Sequence, residues 1–383
     1  MTSARTGLRS GLAAMGLAVP SGLFLYTFLS AEAELKVAGA LAGAALAAAA
    51  GWRTGLLKWL VGAATEQTRT TAFGLVGLGL VAAFHDDPFV LLLFARALVV
   101  LVACLGLHVQ LADAGVPNFA GAAFFGIGGY TAAVVGRSGL AHAGVLLASG
   151  AVAAGVGSLL LLPLLRTRGH YAALITIAFG LLFRTFFEVN DSLGGPQGMK
   201  LGGLELLGWR LNDDQHLLGL EFSGYAFYAV AALALTLSAL WVVRRLEGSW
   251  WGVALDAVRL DETAAACFGI EVARWKIAAF TLGNALIGIA GGLSAMMVGF
   301  IAPNNFSFQE SLVLLSILLL GGLGNLAGLV VAAFLVVCLP EKLQPIQEYR
   351  YLLFSVLVML VLILRPQGLV RRTGRRPFGS VPA

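Results

Sequence analysis

The chain has 383 residues, 59% of them apolar and only 12% charged, with a net charge of +5 and a mean hydropathy of +0.88. Ordinary soluble domains carry about twice that share of charge, so a soluble globule is excluded and a polytopic membrane protein is expected. The apolar runs are continuous and rich in Ala, Leu and Gly, without the alternation of a membrane β-barrel. The expected fold class is therefore all-α, a polytopic transmembrane helical bundle of about 10–11 spans that includes a discontinuous re-entrant element.

At the N-terminus, Arg5 and Arg9 precede an apolar stretch and the small-residue sequence SAEA, the layout of a signal peptide. The stretch from Leu12 to Leu29 is nevertheless of spanning length, and an uncleaved first span is expected. Further apolar runs follow at 35 to 51, 71 to 84, 88 to 107, 119 to 136, 142 to 163, 170 to 188, 225 to 243, 277 to 299, 310 to 339 and 350 to 365. With Arg5 and Arg9 in the cytoplasm, alternation places Arg53, Lys58, Arg166, Arg168, Arg244 and Arg245 there too. The acidic segments at Asp86-Asp87 and in the 190 to 222 loop then fall outside, in keeping with the positive-inside bias.

This register requires the 310 to 339 run to begin and end on one side. Its middle, LLLGGLGNLAG, disfavours a continuous helix, so two short helices breaking near Gly324-Asn325 are expected. A second break is expected at ADAGVPNFAGAAFFGIGGY, around Pro117 and its neighbouring glycines. An Asn-Phe pair stands at each break, Asn118-Phe119 and Asn305-Phe306, which hints at an internal repeat. Non-helical backbone inside a membrane survives only where protein or a water-filled cavity satisfies it, so broken helices point to a transport path.

Motifs of hydrolytic, nucleotide or metal chemistry are missing: there is no G-x-x-x-x-G-K-[ST], H-E-x-x-H, C-x-x-C or G-x-S-x-G. No catalytic or metal-binding residue is expected. The cysteines Cys104, Cys267 and Cys338 are widely spaced and are expected to be small packing residues. Few ionisable groups lie deep in the runs. Arg96 is within snorkelling reach of an interface, Arg184 and Glu188 are spaced to pair along one helix, and the histidines show no spacing that suggests a proton relay.

The segment RLDETAAACFGIEVARWK is unusually polar for this chain, with Arg259, Asp261, Glu262, Glu271, Arg274 and Lys276 close together. Asp261 is expected to cap a short helix, Glu262 to favour its first turn and Gly269 to stop it. Ala264, Ala265 and Ala266 would leave a small-residue surface fit to dock in a partner's groove.

DETAAACFGIEVARWK resembles the cytoplasmic coupling loop of ABC importer permeases of the branched-chain amino-acid family. GAAFFGIGGYTAAVV, ITIAFGLLFRTFF with NDSLGGPQGM, GFIAPNNFSFQESLVLLSILLLGGLGNLAG and LILRPQGLV are similar to further segments of that family. The resemblance implies a core at 88–370, preceded by weakly matching N-terminal spans at 1–87 and followed by a basic cytoplasmic tail at 371–383. It also implies an ATPase-coupling helix carrying Arg259, Asp261, Glu262, Ala264, Ala265 and Gly269. A translocation path would run near Asn118, Phe119, Gly126, Asn304, Phe306, Gly321, Gly322, Gly324 and Asn325. GVPNFAG replaces a more polar stretch of the family, and Asn304 stands where an acidic residue is common, which implies a less hydrogen-bonding path.

The partners so implied are a second related permease, two cytoplasmic ATP-binding subunits, an external substrate-binding protein and the lipid bilayer, with no nucleic acid. No cofactor is expected on this chain, ATP-Mg being held by the partner subunits. The expected location is a bacterial inner membrane, with both termini cytoplasmic. Branched-chain or other small hydrophobic amino acids are the expected cargo, with urea, amides and aromatic acids as alternatives. An autonomous secondary transporter or channel is the competing class.

Overall fold

The computed structural model describes residues 2–30, 66–165, 170–203 and 223–342, short strands between 205 and 222, and isolated positions within 39–54 and 349–363. Apart from those positions, the runs expected at 35 to 51 and 350 to 365 lie outside the described residues. So do Lys58, Arg166, Arg168, most of LILRPQGLV and the basic tail.

In chain order the described helices are α1 (Thr2–Ser30), α2 (Glu66–Ala83), α3 (Pro88–Leu107), a π-helical segment (His108–Asp113), α4 (Gly121–Val135), α5 (His142–Leu164) and α6 (His170–Val189). There follow α7 (Gly224–Glu247), α8 (Trp250–Leu260), α9 (Glu262–Cys267), α10 (Val272–Val298), α11 (Phe308–Gly321) and α12 (Leu326–Lys342). Among the described residues six helices are long and apolar enough to cross a membrane: Ala13–Ser30, Pro88–Asp113, His142–Pro163, Tyr171–Val189, Gly224–Glu247 and Val272–Val298. This is the expected all-α polytopic bundle, since a helix satisfies its own backbone where no water can.

The only strands among the described residues form short antiparallel pairs. Met199–Lys200 (β1) pairs with Phe300–Ile301 (β6), Glu205–Leu206 (β2) with Trp209–Arg210 (β3), and Gln215–Leu217 (β4) with Leu220–Phe222 (β5). The β1–β6 pair explains the glycines of NDSLGGPQGM. Gly194, Gly195 and Gly198 all adopt positive φ and turn the chain back, so that β1 reaches the link between α10 and α11.

The chain forms two compact units. The first comprises residues 1–95, 213–237 and 338–348. In it α1 packs along α2, and a Cβ on Gly77 would lie 2.7 Å from Leu233 Cδ1. The second comprises residues 96–212, 238–337 and 349–383 and holds the densest packing. Its centre is α10, which lies along both α4 and α5. Small residues set these spacings: a Cβ on Gly128 would overlap the Gly288 carbonyl, and one on Gly291 would overlap that of Phe125. Leu98, Leu101, Leu105 and Phe280 are fully buried in this unit.

Both expected breaks are present. Helix α3 ends in the π-helical segment, and an irregular stretch from Ala114 to Ala120, with Gly115 at φ 70°, leads into α4. Helices α11 and α12 are separated at Gly322 (φ 97°) and Gly324 (φ 87°), conformations that L side chains rarely adopt.

Candidate functional site

The first break is held by three buried side-chain amides. Gln110, on the π-helical segment, donates from Nε2 to Asn284 Oδ1 at 2.9 Å and to the Phe280 carbonyl at 3.1 Å. Asn118 Nδ2 donates to Gln110 Oε1 at 2.8 Å and to Asn284 Oδ1 at 3.3 Å, while its Oδ1 accepts from the Ala120 amide. An extra residue per turn in a π segment frees a carbonyl, and here the amide of Val116 folds back onto Gln110 O at 2.8 Å. The Phe119 amide donates to Thr176 Oγ1 on α6, and the Ala122 amide at the start of α4 donates to Ser311 Oγ on α11. The irregular backbone is thus satisfied by side chains of several helices, as a break inside an apolar bundle requires. One donor, Asn284 Nδ2, is buried with no hydrogen-bond partner among the described residues.

Beyond the amides lies an aromatic cluster. Phe124 stacks on Phe179 at 5.2 Å between ring centroids, Tyr130 meets Phe187 at 3.9 Å, and Phe183 meets Phe187 at 4.5 Å. Gly126 belongs to it, because a Cβ there would stand 2.8 Å from both the Phe183 and Phe306 rings. Asn304 lies near the cluster's end, where its Oδ1 accepts from Arg184 Nη2 at 3.0 Å, and Arg184 Nε also donates to Glu188 at 2.7 Å. The structure therefore brings Asn118, Phe119, Gly126 and Phe306 into one region of the second unit.

The residues of the second break have local roles. Gly321 lets the end of α11 approach the backbone of Leu329, and Asn325 caps α12 by accepting from the Ala327 and Gly328 amides. The two Asn-Phe pairs differ in surroundings, since Asn118 is buried and Asn305 exposed.

The polar segment forms helix α9. Asp261 Oδ1 accepts from the Thr263 and Ala264 amides at 2.8 and 3.0 Å. At the other end the Ile270 amide bonds Ala265 O and the Gly269 amide bonds Ala266 O, with Gly269 at φ 79°, the pattern of a Schellman motif. Lys276 Nζ lies 2.6 Å from Glu262 Oε1 and ties the start of α9 to α10. Arg259 lies at the end of α8, 3.6 Å from Asp256.

Two expectations for this helix are corrected. Ala265 is only 3% exposed and faces inward, so the outward surface is made by Ala264, Ala266, Cys267 and Phe268, the last 87% exposed. Cys267 is exposed and free, whereas Cys104 and Cys338 are the buried packing residues expected. An open pocket of about 720 Å³ adjoins α9, lined by the edge-to-face rings of Trp250, Trp251 and Trp275 together with Gly269 and Arg274.

One contact escapes sequence reasoning altogether. His108 Nε2 lies 3.1 Å from Glu247 Oε1, joining positions 139 residues apart, and the histidine is fully buried. A carboxylate oxygen of Asp113 lies within 4.8 Å of both.

Residues 89–364 match the family model described as "Branched-chain amino acid transport system / permease component". The chain is 35% identical over 286 residues to the high-affinity branched-chain amino acid transport system permease protein LivM of Escherichia coli (strain K12), covering 70% of this chain and 67% of that protein. The Salmonella typhimurium protein of the same name matches to the same extent. A probable branched-chain amino acid transport permease protein LivM of Methanocaldococcus jannaschii is 25% identical over 233 residues, 56% of this chain and 64% of the relative. No solved structure matches the chain.

Proposed function

Because the chain belongs to the family of branched-chain amino acid transport system permease components, we propose that it is the membrane permease subunit of an ATP-driven ABC importer for branched-chain or other small apolar amino acids. The observation that carries the ATP-driven part is α9, a short helix capped at Asp261 and stopped at Gly269 that presents Phe268 outward. A surface aromatic beside small side chains on a rigid, anchored rod suits a groove in another protein. The groove belongs to a cytoplasmic ATPase in this reading, which places both chain termini in the cytoplasm of a bacterial inner membrane.

The remaining partners are a second, related permease and an external substrate-binding protein, with ATP-Mg held by the ATPases. ATP binding closes the ATPase pair, α9 moves with it, and the spans change the side to which the path opens. Such a partner can shift that equilibrium only by its differential affinity for the two states. The cluster around Gly126 is built mainly from phenylalanine rings, and that composition supports an apolar cargo.

The test is reconstitution. The chain, isolated with its co-purifying proteins, should take up radiolabelled leucine into liposomes only when ATP is hydrolysed. Uptake by the chain alone, without any ATPase, would overturn the reading in favour of a secondary transporter or channel.

A further inference from the structure

The π-helical segment His108–Asp113 receives two lateral connections, both from the neighbourhood of α9. One begins at Glu247, the last residue of α7, which precedes the Ser249 cap of α8 and so stands at the base of the α8–α9 arm. Its carboxylate meets His108 at 3.1 Å, with the His108 side chain 0% and the Glu247 side chain 21% exposed. Along the same arm, a Cβ on Gly115 would stand 3.1 Å from Arg259 Cγ, so the irregular stretch after the π segment rests directly on α8. The other connection runs from Glu262 through Lys276 into α10, and from Asn284 of α10 to Gln110. The α9 rod is thereby joined to one short segment from two sides, and that segment is where the helix breaks.

The two connections differ in kind. The amide contact is neutral and shared among three side chains, so it tolerates small shifts. The His108–Glu247 contact is a single bond to a fully buried histidine, whose ring is left uncompensated if the partly exposed Glu247 is misplaced. Among the described residues His108 Nδ1 has no hydrogen-bond partner, and the Glu247 bond is the one hydrogen bond of the ring. A π segment, with its surplus residue, is also the part of a helix most able to change its winding.

We propose that His108 and Glu247 are positioning residues that transmit movement of the α9 arm to the helix break, so that work done at α9 changes the winding at Gln110 and Asn118. The proposal rests on the importer reading above. It requires that the pair hold in the complex and that its loss separate ATP hydrolysis from transport.

The experiment measures leucine taken up per ATP hydrolysed, in liposomes holding the complete complex. Only variants that purify as the intact complex, with the ATPase subunits bound and the unfolding midpoint of the wild type, are compared, so a folding defect is removed before the ratio is read. His108→Ala and Glu247→Ala should each lower the ratio by about tenfold, within the range of a site-to-site coupling. The double substitution should lower it no further. His108→Gln, which keeps a donor for the Glu247 carboxylate, should recover a substantial part. A ratio within about twofold of the wild type in both single variants, whatever the absolute rates, overturns the proposal. A wild-type complex without ATP-driven uptake would instead remove the importer reading, and the proposal with it.

Discussion

Gln110 and Asn284 are bonded side chain to side chain at 2.9 Å, although 174 residues separate them in the chain. Through this bond the π-helical end of α3 is fixed to the middle of α10, and Asn118 adds the irregular stretch to the same cluster. Gln110→Leu removes three hydrogen bonds and leaves Asn118 Nδ2 and Asn284 Oδ1 with only their mutual contact at 3.3 Å, at a total cost of about 1–3 kcal/mol. Thermal unfolding of the purified protein should show a lower midpoint for Gln110→Leu. The double variant with Asn284→Leu should be less destabilised than the sum of the two singles, and additivity would argue against a shared network.

The crossing of α4 and α10 is expected to tolerate no side chain at Gly128. Its Cβ would overlap the Gly288 carbonyl, a backbone atom that cannot swing away. Gly128→Ala should destabilise by about 1–3 kcal/mol. Gly136→Ala, where a Cβ meets nothing within 4 Å, is the control and should leave the unfolding midpoint unchanged.

Helix α9 should depend on both of its ends. Asp261→Ala removes the acceptor of two amides and should cost about 1 kcal/mol. Gly269→Ala forces a side chain into positive φ and should cost about as much. Hydrogen exchange of residues 262–268 should quicken in both variants while α4 and α5 stay protected. Ala265→Leu should also quicken it, because Ala265 packs against the chain itself.

Cys267 is a ready probe of the outward face. In the isolated chain it should react with a maleimide, while the buried Cys104 and Cys338 should not. Once the ATPase subunits are bound, the reaction should slow. Phe268→Ala should weaken that association about tenfold, a typical loss for an aromatic anchor. Unchanged labelling in the assembled complex would show that α9 is not the docking surface.

Asn304→Asp should tighten the contact with Arg184 by making the hydrogen bond charge-assisted. Arg184 is partly exposed and already bonded to Glu188, so the gain is expected to stay below about 1 kcal/mol. Unfolding midpoints of Asn304→Asp and Asn304→Ala in low and high salt would separate charge from packing. Only the aspartate variant should lose its advantage as salt rises.

Much of this protein was legible in the chain because its signals are local. Apolar runs of spanning length state helices, Asp261 and Gly269 state the ends of α9, and Gly322 and Gly324 state the break between α11 and α12. Each depends on residues a few positions apart, where backbone sterics and capping decide. Arg184 with Glu188 is of the same kind, one helical turn apart.

The tertiary structure alone decided which way local elements face and what distant residues meet. Ala264 and Ala265 are neighbours of equal composition, yet only Ala265 is buried, because the rotation of α9 is set by the Glu262–Lys276 contact and by its packing on α8 and α10. His108 has no sequence pattern that marks it, and its meaning arises when α7 delivers Glu247 to it. Gln110 likewise becomes part of a site only when α10 brings Asn284 alongside. Side-chain amides and imidazoles bond over about 3 Å, and no local rule can place two groups that close across a long stretch of chain.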